Sequence, residues 1–287
     1  MITTQVILKL LLLIFLVSAM MSAGLGLTIP SLAAPLRNAR LVLTVLVSSF
    51  VAAPACALFL TRLIPLQPAH ATGLLLLGCA AGAPFLPKLV EVARGDVASA
   101  VALMALLTVG TTFFLPVTLP WFVPGLEARA WDIAQPLLLM ILLPLAVGLL
   151  VRRRAAGWAA RWQPRLSRTA NLSGMLMLIL LVVRDLRAMT VALGTSAIAS
   201  VAILTAVIFF LGYFAGGPTA LGRGLMGITN GSRNVGAALV PATQAGTDPQ
   251  VMTMLVAGTI VMILLLLAAC TWLRYQSQPS PPAYDPA

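Results

Sequence analysis

Two cations stand where a hydrophobic chain tolerates them least. Arg233 lies within GITNGSRNVGAALVPA (227–242), an apolar stretch interrupted by Thr229, Asn230, Ser232 and Asn234. Lys88 lies within GCAAGAPFLPKLVEVARGD (78–96), interrupted by Pro84 and Pro87, with Glu91 three residues on. A charge at the centre of a bilayer-spanning helix costs roughly 2.5–3.5 kcal/mol on insertion scales, so it marks a substrate or ion pathway or a specific internal partner. Lys88 and Glu91 have the i, i+3 spacing of a helical ion pair, so Lys88 meets either that acid or a substrate. Arg233 has no acid in its own stretch, which leaves Glu91, backbone oxygens or an anionic substrate as its partner.

No enzymatic constellation accompanies them. The single histidine, His70, sits beside Pro68 and is expected in a solvated loop. There is no HExxH, no GxSxG and no pair of intramembrane aspartates. Five of the seven carboxylates, Asp96, Glu127, Asp132, Asp248 and Asp285, fall at span ends, in loops or in the tail. Asp185 lies between Arg184 and Arg187 and is expected to pair with one of them. Cys56, Cys79 and Cys270 lack CxxC spacing and read as buried thiols, so neither a disulfide framework nor a metal site is expected, and no cofactor. The chain is not expected to be an enzyme, and the absence of GxxxxGK[ST] leaves no ATP-driven step.

The elements that must position these residues are membrane helices. Hydrophobic residues make up 60% of the chain, charged residues 9%, and mean hydropathy is +1.03. About 20 apolar residues fill one crossing. Nine such stretches are expected, at 5–26, 41–63, 71–93, 97–121, 133–151, 169–188, 193–215, 222–243 and 250–273. The reading is a single all-α membrane domain over 1–275, with RRRAAGWAARWQPRLSR (152–168) as its longest polar connection and a disordered, Pro-rich tail at 276–287. The first stretch has Lys9 before a Leu-rich run, as a signal peptide would. Its length and the lack of a polar mature region favour a retained helix.

The net charge of +11 follows topology rather than nucleic acid. With nine crossings, eleven basic residues fall on the side of the C-terminus: Arg37, Arg40, Arg94, six between 152 and 168, Arg223 and Arg274. Five fall on the other: Lys9, Arg62, Arg129, Arg184 and Arg187. The positive-inside rule puts the C-terminus in the cytoplasm and the N-terminus outside, as expected in a bacterial inner membrane, with the excess charge facing anionic lipid. Nothing in the sequence speaks to oligomeric state.

The two breaks have a physical logic of their own. Gly78, Gly82, Pro84 and Pro87 weaken one helix, and Asn230, Gly231, Ser232 and Asn234 weaken the other. Non-helical backbone at membrane depth survives only where protein or a water-filled cavity satisfies it. Interrupted helices in corresponding positions of two halves point to a transporter's binding site. An ordinary kink in a packed helix is the plainer alternative for either break.

With these pieces in hand, the chain resembles the bile acid:sodium symporters and their relatives among bile, arsenite and riboflavin transporters. ARGDVASAVAL (93–103) is similar to the family's A-R-G-D-V-A-L-S-V-A-L segment, and GSRNVGAAL (231–239) to its G-M-Q-N-x-G-L-A-A segment. GLGLT (24–28) and SFVAAP (49–54) are similar to its G-M-G-L-x and Q-F-x-x-M-P segments. The resemblance implies two inverted repeats of five helices, here without the first helix of repeat one, and two broken helices that cross. It also implies a core (41–121 and 193–273) moving against a panel (5–26, 133–151 and 169–188).

The departures from that pattern are more informative than the matches. The family's sodium sites use a glutamate and a glutamine in the second broken helix, and the matching positions hold Thr229 and Arg233. A further glutamine becomes Ser49, a Ser-Asn pair falls at Leu86 and Pro87, and a serine and a threonine fall at Ala100 and Met104. A sodium ion needs several oxygens, and a guanidinium beside it is repulsive. The expectation is therefore a secondary transporter of a small organic anion, independent of sodium, in which fixed cations replace bound ones. Its expected binding residues are Arg233, Lys88, Thr229, Asn230, Ser232, Asn234, Glu91 and Ser49, with the residues of both breaks facing a cavity. The alternatives are a sodium- or proton-coupled symporter with shifted ligands, with Glu91 the acid for protons, and a non-transporting sensor or scaffold. Cation permeation through a channel finds little support in an apolar lining crossed by two cations.

Overall fold

The computed structural model describes residues 2–122, 130–184, 196–243 and 248–276. Expectations that rest on Glu127, Arg129, Asp185, Arg187 and the tail beyond Gln276 lie outside the described residues. The described chain is helical: α1 (Ile2–Gly26), α2 (Ile29–Leu36), α3 (Ala39–Leu63), α4 (Pro68–Cys79), α5 (Leu86–Val92), α6 (Val97–Phe122), α7 (Ala130–Arg154), α8 (Ala156–Arg184), α9 (Ser196–Ala215), α10 (Ala220–Gly231), α11 (Val235–Ala242) and α12 (Pro249–Gln276). Of these, α1, α3, α6, α7, α9 and α12 are long and apolar enough to cross a membrane.

The remaining stretches need a closer account. Those expected at 71–93 and 222–243 are not continuous helices but the pairs α4–α5 and α10–α11. The polar connection expected at 152–168 is helical apart from Ala155, because α8 begins at Ala156 and carries Arg161, Arg165 and Arg168 in its first half. His70, expected in a solvated loop, sits instead in the first turn of α4 and is buried, Pro68 having started that helix at a position where a missing N–H costs nothing.

Two long helices carry a π turn, at Ser48–Ala52 in α3 and at Leu138–Leu142 in α7. Each turn ends one residue before an Xaa-Pro step, Ala53-Pro54 and Leu143-Pro144. Proline supplies no N–H to the preceding turn, and widening that turn absorbs the misfit. In α3 the widening brings Ser48 and Ser49 inward, where both are buried.

The surface is apolar and the interior holds the polar groups, the reverse of a soluble protein. Val51, Phe59, Phe113, Val117, Leu172 and Phe214 are exposed, while Ser49, Thr108, Thr111, Asn230 and Asn234 are buried. Helices α1, α7 and α8 pack on one another, while α9 to α12 pack around α3 to α6. The approach of α1 to α7 is set by glycine: a Cβ on Gly24 would fall 2.4 Å from the carbonyl oxygen of Leu145, and one on Gly148 would fall 2.6 Å from that of Met21.

Candidate functional site

The two breaks meet. Between α4 and α5, residues 80–85 lie outside any helix, and between α10 and α11 residues 232–234 do the same. Ala81 and Arg233 pair as an antiparallel bridge at this crossing. The N–H of Asn234 donates to the carbonyl of Ala80 at 2.9 Å. The Asn234 side chain donates through Nδ2 to the carbonyl of Gly82 at 3.0 Å and accepts from the N–H of Ala237 at 3.0 Å, capping α11.

Neighbouring helices satisfy most of what remains. Thr111 Oγ1 on α6 accepts from the N–H of Ala81 at 2.8 Å and lies 3.0 Å from its carbonyl. Thr108, one turn earlier, donates to the carbonyl of Gly82 at 3.0 Å. Gly82 has φ +81°, and a Cβ there would fall 2.4 Å from the backbone nitrogen of Thr108, so no other residue fits. From α3, Ser48 and Ser49 place their hydroxyls 2.7 and 3.1 Å from Oδ1 of Asn230, whose Nδ2 donates to the carbonyl of Met226 at 3.0 Å.

Arg233 is the centre of this arrangement. It is 2% exposed, and the hydrogen-bond partners of its guanidinium are backbone oxygens. Nε donates to the carbonyl of Leu77 at 2.9 Å, and Nη2 donates to those of Gly78 and, at 3.4 Å, Ser49. Leu77 and Gly78 are in the last turn of α4, whose carbonyls lose their helical donors where the helix stops. That terminus carries the negative end of the helix dipole, so a cation is favoured there. Burying a guanidinium costs several kcal/mol. Charge-assisted hydrogen bonds of roughly 1.5–3 kcal/mol each offset that cost. Nη1 of Arg233 and Oγ1 of Thr229 are buried without a hydrogen-bond partner.

Lys88 is placed quite differently. Its Nζ lies 2.7 Å from Oε2 of Glu91, and the two side chains are 74% and 58% exposed. Both line a cavity of about 560 Å³. Phe15, Ser22 and Gly26 of α1 and Gln163, Ser167 and Asn171 of α8 form one wall. Pro84, Phe85 and Pro87 of the first break, with Val97, Val101 and Met104 of α6, form the other. Ser22 and Gln163 are tied together, the Ser22 hydroxyl donating to the Gln163 carbonyl at 3.2 Å and Gln163 Nε2 donating back at 3.3 Å.

The expected site residues therefore separate into two groups. Lys88 and Glu91 stand in the cavity with Pro84, Phe85 and Pro87. Thr229, Asn230, Ser232 and Asn234 are buried in the crossing with Arg233, against the expectation that they face a cavity, and Ser49, an expected binding residue, is buried there too. Ala81, Gly82 and Ala83 are buried with them. The crossing leaves them no open wall because each break is filled by the other. Ser48, Thr108 and Thr111 were missed at the crossing, as were Ser22, Gln163, Ser167 and Asn171 at the cavity. The signal available for Ser22, Ser48, Thr108 and Thr111 was a polar residue in an otherwise apolar run, whereas Gln163 and Ser167 stand in the stretch read as a polar connection.

Comparison with known families and proteins completes the description. The family model described as "Sodium Bile acid symporter family" matches residues 13–193, a stretch that contains the first break and the whole cavity wall. The second break, with Arg233, lies beyond the matched residues. No curated protein matches the chain.

Proposed function

This chain belongs to the sodium bile acid symporter family, and from that premise we propose that it is a secondary transporter of an amphipathic organic anion that runs without sodium. As a family member with six long apolar helices among its described residues it is a membrane transporter. In the proposed topology α4–α5, α10–α11 and α8 complete nine crossings, related as inverted repeats, in a bacterial inner membrane with the C-terminus in the cytoplasm. Substrate binds in the 560 Å³ cavity and passes to the other side as α1, α7 and α8 rock against the remaining helices.

The observation that carries the sodium-independent reading is the hydrogen bonding of Arg233. Carbonyl oxygens converging on one point are the ligand set of a hard cation, and here a guanidinium occupies that point. Its charge is permanent at any physiological pH. No ion then has to arrive to hold the two breaks together. The cavity supports the substrate class. Phe15, Phe85, Val97 and Met104 offer apolar surface, Lys88 offers an ammonium, and Gln163, Ser167 and Asn171 offer hydrogen bonds. An anionic head exchanging with Glu91 for Lys88 would meet a charge already exposed to water.

Purified protein in proteoliposomes tests both parts. Uptake of a panel of carboxylates and sulfonates is measured with sodium or potassium outside. Uptake of at least one amphipathic anion, equal in the two salts and lost in Lys88→Glu, supports the reading. A steep requirement for sodium would sink it.

A further inference from the structure

A second concavity lies on the outer face of the helices, away from the cavity. Between α9 and α12 a groove of about 340 Å³ is lined by Thr205, Phe209, Phe210, Leu265, Ala268 and Trp272, among others. It shares no lining residue with the cavity. The groove opens on exposed apolar surface, since Phe210, Leu265 and Trp272 are all exposed. In a membrane protein that surface is the one acyl chains touch. From Leu265 to Trp272 the groove runs about 10 Å along α12, two helical turns.

A cation stands beyond Trp272, past the groove's own lining. Trp272 packs on Tyr213, with ring centroids 5.4 Å apart, and the guanidinium of Arg223 lies 5.5 Å from the Tyr213 ring centre. Tyr213 is pinned in place by its hydroxyl, 3.1 Å from Oε1 of Gln276. Nε of Arg223 is buried and has no hydrogen-bond partner. Arg223 also stands in the first turn of α10, which contains no acidic residue. The helix dipole disfavours a cation there unless an anion neutralises it. Arg223 is half-buried, and a guanidinium presents a fork of N–H groups from which a phosphate accepts two parallel bonds.

We propose that this groove and Arg223 together form a binding site for an anionic phospholipid, one acyl chain lying between α9 and α12 and the phosphate on Arg223. The apolar length and the terminal cation match the two ends of such a lipid. Tyr213 and Trp272 supply the aromatic step between them, as aromatic side chains do at the level of lipid headgroups.

The test uses the full-length protein in detergent, with bound lipid read by native mass spectrometry. It is titrated with phosphatidylglycerol, phosphatidylcholine and glycerol 3-phosphate. The expected result is retention of phosphatidylglycerol over phosphatidylcholine by about fivefold, the preference one interfacial arginine gives toward anionic lipid. Arg223→Gln abolishes the preference. Ala268→Phe, a change on the lipid-facing surface that fills the groove, lowers retention of both lipids even if Arg223→Gln fails to fold. Glycerol 3-phosphate, a headgroup without chains, is not retained. Equal retention of the two phospholipids by the wild type, unchanged preference in Arg223→Gln, or retention of glycerol 3-phosphate would each overturn the proposal. So would a lipid-free dimer that Ala268→Phe dissociates, since the groove would then be an interface between copies of this chain.

Discussion

Arg233 and Lys88 sit in comparable places, each beside a break in an apolar stretch, and end in opposite surroundings. Arg233 is sealed among the carbonyls of Leu77, Gly78 and Ser49, where its charge replaces helical donors that the end of α4 removes. Lys88 stands in an open cavity, held 2.7 Å from Glu91 and reachable by water. A buried cation with backbone partners holds structure together, and removing it strands acceptors. An exposed cation with a carboxylate partner is exchangeable, so a passing anion can compete for it. Under the proposed function, coupling belongs to the crossing and recognition to the cavity.

Breaking the crossing should have the largest effect. Arg233→Ala strands buried carbonyls at roughly 1–3 kcal/mol each. Thermal denaturation in detergent should therefore show a loss of several kcal/mol, together with lost uptake. A wild-type melting temperature in this variant would return Arg233 to the class of tolerated surface charges. Thr111→Val comes next, because Thr111 serves both the N–H and the carbonyl of Ala81. The expected loss is about 2 kcal/mol with little change in substrate affinity, measured by melting and binding side by side.

Changes in the cavity should invert that pattern. Lys88→Ala removes an exposed ion pair worth about 0–1 kcal/mol, so the melting temperature should barely move. It also leaves Glu91 uncompensated in the cavity, and the apparent KM for an anionic substrate should rise about tenfold, the loss of one charge-assisted contact. Equal KM in Lys88→Ala and wild type would remove recognition from the cavity. The smallest effect belongs to Asp96, which caps α6 through the N–H and hydroxyl of Ser99. Those bonds hold its carboxyl below the ordinary carboxylate range. Its contribution is complete above that range and fades as pH falls through the lowered value. Asp96→Ala should cost about 0.5 kcal/mol at neutral pH and nothing measurable in strong acid, seen by melting across pH.

Much of this was legible in the sequence because its signals were local. The prolines and glycines of 78–87 and the polar run 229–234 marked both breaks to within a few residues. Glu91 was one of the two partners that the sequence offered Lys88, the other being a substrate. What stayed hidden depended on contacts across the fold. No local pattern says that the carbonyls of Leu77 and Gly78 will need a donor, because that need arises only where α4 stops against α10–α11. Polarity at Thr229, Asn230 and Asn234 suggested an open cavity, since a hydrocarbon environment gives no other rationale for it. The other break supplies that rationale for Asn234 and the serines of α3 supply it for Asn230, while Thr229 Oγ1 stays without a partner. The widened turn at Ser48–Ala52 was equally invisible, although Pro54 causes it and Asn230 depends on it.

The central claim is that the Arg233 guanidinium stands where a bound cation would otherwise be needed. Initial rates of anion uptake in sodium and in potassium, for the wild type and for Thr229→Glu with Arg233→Gln, test it most directly. The double change removes the fixed charge and supplies a carboxylate and an amide at the two positions. The account predicts equal rates in both salts for the wild type and a clear dependence on sodium for the double variant. A wild type that requires sodium, with Arg233 in place, would contradict it.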